Sequence, residues 1–467
     1  MLNINLKELS RSKVFHFIGI NGIGMSSIAE VLFKSGFGVQ GSNDVDGENM
    51  LALKNMGVKT FVGHSANNID GADYVVFSSA VPENNVEIVE AKKRGLPVIE
   101  RAEMLQYVFT LKKSVAVSGT HGKTTTTSFV GTMLDVAGLD ATIIDGGIMN
   151  RYSSNAKIGH GDYIVAEACE AFGNIKHYTV DIAVITNVDA EHMEFYKTFE
   201  NLKNYFREFI ERVPENGLIV ACADHPVVME LANEVQGKKA VITYGLDNPA
   251  DIMAENISSD TDGVHFDIKF ADGGKILGVS LPIFGRHNVL NSLAAVAVAK
   301  HLGISDDTIK SAIREFTGTQ HRFTKVGCVN GISVFDDYGH HPKEIETTLA
   351  MARDIAKDNQ IFAIFQPHRY SRLTNLFDDF LKCFDKADYV LCMPVYGAGE
   401  SAENMKNHSD FYEEMIKCSG KKVFKINKFE EIAGIVLSFA KAGDIIVSLG
   451  AGSIKHMIYD LPGLLMK

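Results

Sequence analysis

Short apolar runs alternate with amphipathic stretches from the start of the chain. "VFHFIGI" (14–20), "DYVVFSSA" (73–80) and "LPVIE" (96–100) read as strands, and "SSIAEVLFKSG" and "NNVEIVEAKKRG" read as helices. That order predicts βαβ units around a parallel sheet. The pattern starts again at "KSVAVSG" and runs through "DYIVAEA", "DIAVITN" and "GLIVACAD". From about 250 to 284 the alternation and turns look antiparallel, and the alanine-rich helix "NVLNSLAAVAVAKHLG" follows. A third start near 318 brings the strands "ISVFDDY", "IFAIFQP", "DYVLCMPV" and "DIIVSLGAG". The predicted fold class is therefore α/β in three domains, 1–108, 109–318 and 319–467, the first and last Rossmann-like.

Composition narrows the class. At 467 residues the chain exceeds one ordinary core, given about 100 to 200 residues per domain. Its 46% hydrophobic and 22% charged content is that of a globular protein, and no apolar run approaches the roughly 18 residues that would span a bilayer. No membrane partner is expected. The opening "MLNINLKELSRSK" lacks a signal-peptide core, so a cytoplasmic location is expected. Six cysteines lie scattered without metal spacing and read as reduced, mostly buried thiols. A net charge of −12 without a basic cluster argues against nucleic acid. Anionic ligands must then be held locally, as glycine-rich loops at helix N-termini hold them through backbone N–H groups.

Two such loops stand out. "FHFIGINGIGMSS" runs from strand through glycines to helix, like a dinucleotide site. Counted from Gly19, however, Asn21 occupies the second-glycine position of G-x-G-x-x-G and Gly24 the third, with Gly22 extra. "VAVSGTHGKTTTTSF" is more specific: a strand, then Gly119, Thr120, His121, Gly122, Lys123, Thr124 and Thr125, then a helix. Here the glycines turn N–H groups toward phosphate oxygens, Lys123 neutralises the terminal phosphates and the Thr124 hydroxyl can ligate Mg2+. Val117 stands where the common phosphate loop has its first glycine, so the motif is a shorter G-x-x-G-K-T.

"GTHGKTTT" resembles the ATP loop of the Mur ligases, amide-forming enzymes of peptidoglycan precursor synthesis. Further motifs agree in order. "ITNVDAEHMEFY" is similar to the family segment with a metal-binding histidine, here His192, and "GRHNVLNSLAA" to the adenine-holding segment, with His287, Asn288 and Asn291. "TQHRF" and "FDDYGHHPKEI" supply Arg322 and Asp337 as further nucleotide contacts. Within the family, "HFIGINGIGMSSIAEVL", "DDYGHHP", "FQPHRYSR" and "YGAGE" resemble the member that adds L-alanine first to the sugar nucleotide. One string departs: "EACEAF" stands where many members carry "EADESD", leaving Glu167 and Glu170 but not the aspartates and serine.

The resemblance implies ATP and Mg2+ as cofactors, UDP-N-acetylmuramic acid and L-alanine as substrates, and a monomer or homodimer. The lactyl carboxylate would attack the γ-phosphorus, and the alanine amine would displace phosphate from the acyl phosphate. Catalytic roles then fall to Lys123, Glu167, His192, His340, Arg369 and Arg372, with Thr124, Glu167 and His192 as metal ligands. An imidazole suits Mg2+ poorly, so Mn2+ is expected to be accepted too. The C-terminal domain would bring Arg369 and Arg372 to the ATP site, arginine being suited to a bidentate carboxylate grip. A solvated arginine pair, and histidines that only cap the helix beginning at Pro342, are the alternatives there. The sugar-nucleotide contacts are expected at Gly19, Asn21, Gly22, Gly24, Met25, Ser42, Asp44, Ser78, Ser79 and His341. Rival readings are a sister ligase adding another amino acid or a peptide, an NAD-dependent oxidoreductase, and an NTP-binding switch. The last two leave the second phosphate loop or the third α/β domain unexplained.

Overall fold

The computed structural model describes residues 8–78, 80–260, 263–400, 411–419 and 422–466. Ser79, one of the expected substrate contacts, lies outside them. The described residues form three sheets. They divide into a first compact unit ending at Thr319 and a second beginning at Gln320.

The first sheet holds β1 (Val14–Ile18), β2 (Gly38–Asn43), β3 (Lys59–Val62), β4 (Tyr74–Phe77) and β5 (Val98–Glu100) in the order β3-β2-β1-β4-β5. All four pairings are parallel. Helices α1 (Ile23–Lys34), α2 (Glu48–Asn55), α3 (Val86–Lys93) and α4 (Arg101–Phe109) connect or follow the strands. Chain direction across the sheet reverses between β1 and β4, so the loop after β1 opens at the switch point where ligands of such sheets bind.

The second sheet has ten strands, β15-β14-β13-β12-β11-β10-β6-β9-β7-β8. In chain order these are β6 (Lys113–Ser118), β7 (Thr142–Met149), β8 (Ser154–Lys157), β9 (Tyr163–Glu167), β10 (Ile182–Ile185), β11 (Leu218–Cys222), β12 (Ala240–Gly245), β13 (Ile252–Asp260), β14 (Gly263–Phe270) and β15 (Lys275–Leu281). The helices are α5 (Lys123–Val136), α6 (Met193–Tyr196), α7 (Phe199–Arg212), α8 (Pro226–Val235), α9 (Arg286–His301) and α10 (Asp306–Arg314). The segment read as antiparallel is so only in part. β14 and β15 form an antiparallel hairpin, whereas β13 joins β12 in parallel. Central strands such as β10 and β11 are buried along their whole length, which is why they read as unbroken apolar runs. Helix α9 is buried all round from Val289 to Ala299 apart from Leu290, and its alanines let it lie close to α5.

One hydrophobic core runs through both sheets, from Phe15 and Phe17 to Phe129 and Phe316, whose rings stack 3.6 Å apart. A polar seam accompanies it, with Asn155 Nδ2 donating to Ile23 O at 2.9 Å and lying 3.2 Å from Ser26 Oγ.

The second unit carries β16 (Thr324–Val329), β17 (Ile332–Asp337), β18 (Ile361–Phe365), β19 (Tyr389–Cys392), β20 (Lys422–Lys425) and β21 (Ile445–Leu449), ordered β16-β17-β21-β18-β19-β20. Only β16 runs antiparallel to its neighbour. Helices α11 (Pro342–Ala356) and α12 (Tyr370–Asn375) start beyond the C-terminal ends of β17 and β18, so both histidine and arginine loops lie at one edge of the sheet.

Candidate functional site

The phosphate loop follows β6 at the point where the sheet order reverses. Gly119 sits at φ +136°, and a Cβ there would lie 2.1 Å from Thr186 Oγ1; Gly122 sits at φ +79°, with Asn291 Oδ1 2.9 Å from its would-be Cβ. Neither position admits a side chain. The loop is braced by "TNVD" after β10. Thr186 Oγ1 donates to His121 O at 2.7 Å, Asn187 Oδ1 accepts from His121 N at 2.7 Å, and Thr120 Oγ1 accepts from Asp189 N at 2.8 Å. The bracing role of Thr186 and Asn187 is not legible in the motif, which reads as a metal segment.

Lys123 is turned back into its own loop. Its Nζ donates to Gly119 O at 2.6 Å and Thr120 O at 3.0 Å, and lies 2.9 Å from Glu170 Oε2. Burial works against its charge, but the carboxylates of Glu170 and Glu167 outweigh that and hold its pKa above the ordinary lysine value. The Thr124 hydroxyl donates to Glu167 Oε2 at 2.8 Å, an oxygen pair that suits a hard cation. Gly146 makes room for that carboxylate, since a Cβ there would stand 2.3 Å from Glu167 Oε2. Thr125, the third residue of α5, is partly exposed.

His192, expected with Thr124 and Glu167, groups with Glu170 and Glu191, and one ligand atom from each lies within 4.8 Å of the others. Glu170 is 1% exposed, and its Oε1, unlike the Oε2 that meets the Lys123 ammonium, is buried without a hydrogen-bond donor. His192 Nε2 is 3.6 Å from Glu170 Oε1, on a backbone at φ +55° that holds the ring at the start of α6. A buried carboxylate oxygen without a donor, beside Glu191 and His192, fits a cation. Replacement of "EADESD" puts Phe172 beside this group, at φ +56° and 51% exposed, its ring 6.2 Å from that of Phe195.

On α9, Asn291 reaches the loop at Gly122, while Asn288 uses its Nδ2 on Phe284 O at 2.7 Å and His287 is exposed.

In the first sheet, Gly19 takes φ +80° and Gly22 caps α1. The N–H groups of Ile23 and Gly24 have no acceptor among the described residues. Asn21 holds the start of α2, its Oδ1 accepting from Met50 N at 3.1 Å and its O from Asn49 Nδ2 at 2.8 Å. Met25 is a core residue, 2% exposed. Ser42 is wholly buried and donates to Glu87 Oε2 at 2.6 Å, and Asp44 is exposed beside His64 Nε2 at 3.1 Å. Ser78 is partly exposed. Arg101, absent from the sequence reading, opens α4 with its Nη1 2.6 Å from where a Gly24 Cβ would be. Its guanidinium has no hydrogen bond or ion pair among the described residues. It faces the positive end of α1, an arrangement that an anion would relieve.

In the second unit Asp337 is a buried brace. It accepts from Gly339 N and Phe323 N, both at 2.8 Å, and from Thr348 Oγ1 at 3.0 Å; burial pushes its pKa up to about 6 against the pull of Arg322. Arg322 is exposed, with its guanidinium carbon 6.0 Å from the Tyr338 ring centre. His341 caps α11, its Nδ1 accepting from Lys343 N at 3.3 Å while Glu344 returns to the cap backbone. His340 meets His368 ring to ring at 5.8 Å, and burial lowers its pKa. Arg369 stands at φ +68°, an uncommon conformation for a bulky side chain, at the start of α12. Arg372, from the first turn of that helix, donates its Nη1 to His368.

Comparison with known proteins agrees along the chain. Residues 14–113 match the Mur ligase family catalytic domain, 117–299 the Mur ligase middle domain and 321–452 the Mur ligase glutamate ligase domain. The UDP-N-acetylmuramate--L-alanine ligase of Bradyrhizobium diazoefficiens is 46% identical over 96% of this chain and 97% of its own. That of Azorhizobium caulinodans is 45% identical over 97% of each. Among solved structures, the UDP-N-acetylmuramate-alanine ligase of Thermotoga maritima superposes with a TM-score of 0.80 at 29% identity, over 96% of this chain and 98% of that one. A murein peptide ligase of Psychrobacter arcticus gives 0.69 at 25%, over 97% and 99%. With three family domains in order and relatives aligned almost end to end, the chain belongs to the Mur ligase family.

Proposed function

We propose that the protein joins L-alanine to the lactyl carboxylate of UDP-N-acetylmuramic acid, consuming ATP and releasing ADP and phosphate. The observation that carries this reading is near end-to-end similarity, at 45 to 46%, to ligases named for that reaction. The site chemistry supports it. Lys123 leaves its loop carbonyls to neutralise the transferring phosphate, while the loop N–H groups fix the others. Thr124 with Glu167, and Glu170 with Glu191 and His192, would hold divalent cations, Mg2+ or Mn2+, whose charge screens the crowded phosphates. The substrate carboxylate oxygen bonds to the γ-phosphorus as the bond to ADP breaks. The alanine nitrogen then bonds to the acyl carbon, phosphate leaves and the amine loses a proton.

The segments 1–108, 109–318 and 319–467 divide the work into sugar nucleotide, ATP and amino acid. Arg101 supplies the cation for the diphosphate next to the free N–H groups of α1. Arg369 and Arg372 supply the grip on the alanine carboxylate. No described helix is long and apolar enough to cross a membrane, and we place the enzyme in the cytoplasm as a monomer or homodimer. The test is phosphate release from ATP with each substrate omitted in turn. Release is expected only when both UDP-N-acetylmuramic acid and L-alanine are present. Release that ignores the sugar nucleotide, or that runs with a peptide and not with L-alanine, refutes the assignment.

A further inference from the structure

The second unit contains an imidazole with no assigned task, packed so that it can do only one thing. Arginine donates hydrogen bonds and never accepts them. Arg372 Nη1 lies 3.0 Å from His368 Nδ1, so Nδ1 carries the lone pair and the ring proton sits on Nε2. The same Nη1 also donates to His368 O at 3.2 Å. One residue therefore holds one guanidinium nitrogen at two points. The ring is flanked on two sides: Tyr396 lies parallel to it at 5.7 Å and 11°, and the His340 ring is 5.8 Å away. Tyr396 is itself tied to the loop, its O accepting from Arg369 N and its N donating to Pro367 O, each at 2.8 Å.

With Nη1 committed, the Nε and Nη2 edge of Arg372 has no partner among the described residues. That edge is the fork that meets both oxygens of a carboxylate. Arg369 close by has a guanidinium without a hydrogen bond or ion pair among the described residues. Burial first, then His340, Arg372 and Arg369, disfavour charge on the ring while Glu400 favours it, and together they bring the pKa of His368 down to about 4. It remains a neutral acceptor in ordinary assay conditions.

We propose that His368 is a positioning residue for amino-acid recognition, a neutral imidazole that locks Arg372 so that its Nε and Nη2 edge is presented to the substrate carboxylate. This rests on the reading of Arg372 as the alanine grip.

The test compares His368→Leu and His368→Asn with the wild type, measuring KM for L-alanine, ATP and UDP-N-acetylmuramic acid separately. Leucine removes the acceptor and is expected to raise KM for alanine by about tenfold or more, the loss of a hydrogen bond to a charged group, with the other two within about twofold. The Asn amide oxygen can take the place of Nδ1 and is expected to recover most of that loss. Nitrogen NMR on labelled histidine should find the wild-type ring protonated on Nε2 alone. Equal alanine KM for the Leu and Asn variants, a joint rise for all three substrates, or a proton on Nδ1 overturns the proposal. A wild type that turns over no alanine would instead overturn the function on which it rests.

Discussion

Glu87 offers the sharpest test of how the first sheet is held together. Its carboxylate is fully buried, yet Oε1 accepts from Asn68 Nδ2 at 2.7 Å and Ser65 N at 3.2 Å. Oε2 accepts from Ser42 Oγ at 2.6 Å and lies 3.0 Å from His16 Nε2. Burial alone would raise its pKa, but the bonds from His16, Ser42 and Asn68 prevail and bring it from 4.5 to about 2. At about 1.4 kcal/mol per pH unit, that difference is worth about 3 kcal/mol of stability. The value is an upper figure, because Ser65 is exposed and His64, 3.4 Å from Oε1, is 17% exposed. Since the folded value lies below the unfolded one, the contribution is complete above pH 4.5 and fades as pH falls toward 2. Glu87→Gln should therefore weaken the sheet by about 2 to 3 kcal/mol at neutral pH, and by progressively less below pH 4.5. A chain with two compact units does not melt as one transition, so the assay is hydrogen exchange of peptides from β1 and β4, variant against wild type at each pH. A gap that stays constant from neutral pH to about 3, or no gap at all, refutes the reasoning.

Other perturbations have equally definite outcomes. Arg101→Met should raise KM for the sugar nucleotide about tenfold and leave KM for ATP unchanged. Gly24→Ala, whose Cβ would intrude 2.6 Å from Arg101 Nη1, should do the same, and parallel effects on both substrates would contradict the diphosphate role. Lys123→Ala should abolish phosphate release with circular dichroism unchanged, and retained turnover would mean the loop does not serve ATP. Glu170→Gln should weaken Mn2+ binding measured by electron paramagnetic resonance about tenfold without substrates, and an unaltered signal would remove Glu170 from the cation site.

The α/β rhythm was readable because central strands bury both faces and most helices one, so β10, β11, β18 and α3 announce themselves by apolar period alone. The parallel pairing of β12 with β13 was not, since strand direction depends on which neighbours meet across the sheet. The turn geometry of a single loop was legible for the same local reason, as at Gly119 to Thr124. Residues that act across long sequence separations were not. Arg101 meets Gly24, Glu170 meets Lys123, and Ser42 spends its hydroxyl on Glu87, none of which follows from spacing. Asn21 and His341, expected as substrate contacts from their motifs, each also hold the start of a helix, a duty that the motifs do not announce.

The continuous core beneath the first two sheets bears on how such enzymes can be recombined. Because Asn155 grips Ile23 across that seam and Phe17 and Phe129 belong to one apolar cluster, the two glycine loops rest on one shared core. A chimaera cut between 108 and 113 would expose unmatched apolar surface on both halves. One joined at Thr319 and Gln320, where the compact units divide, keeps each core intact and is the natural place to graft a different amino-acid specificity.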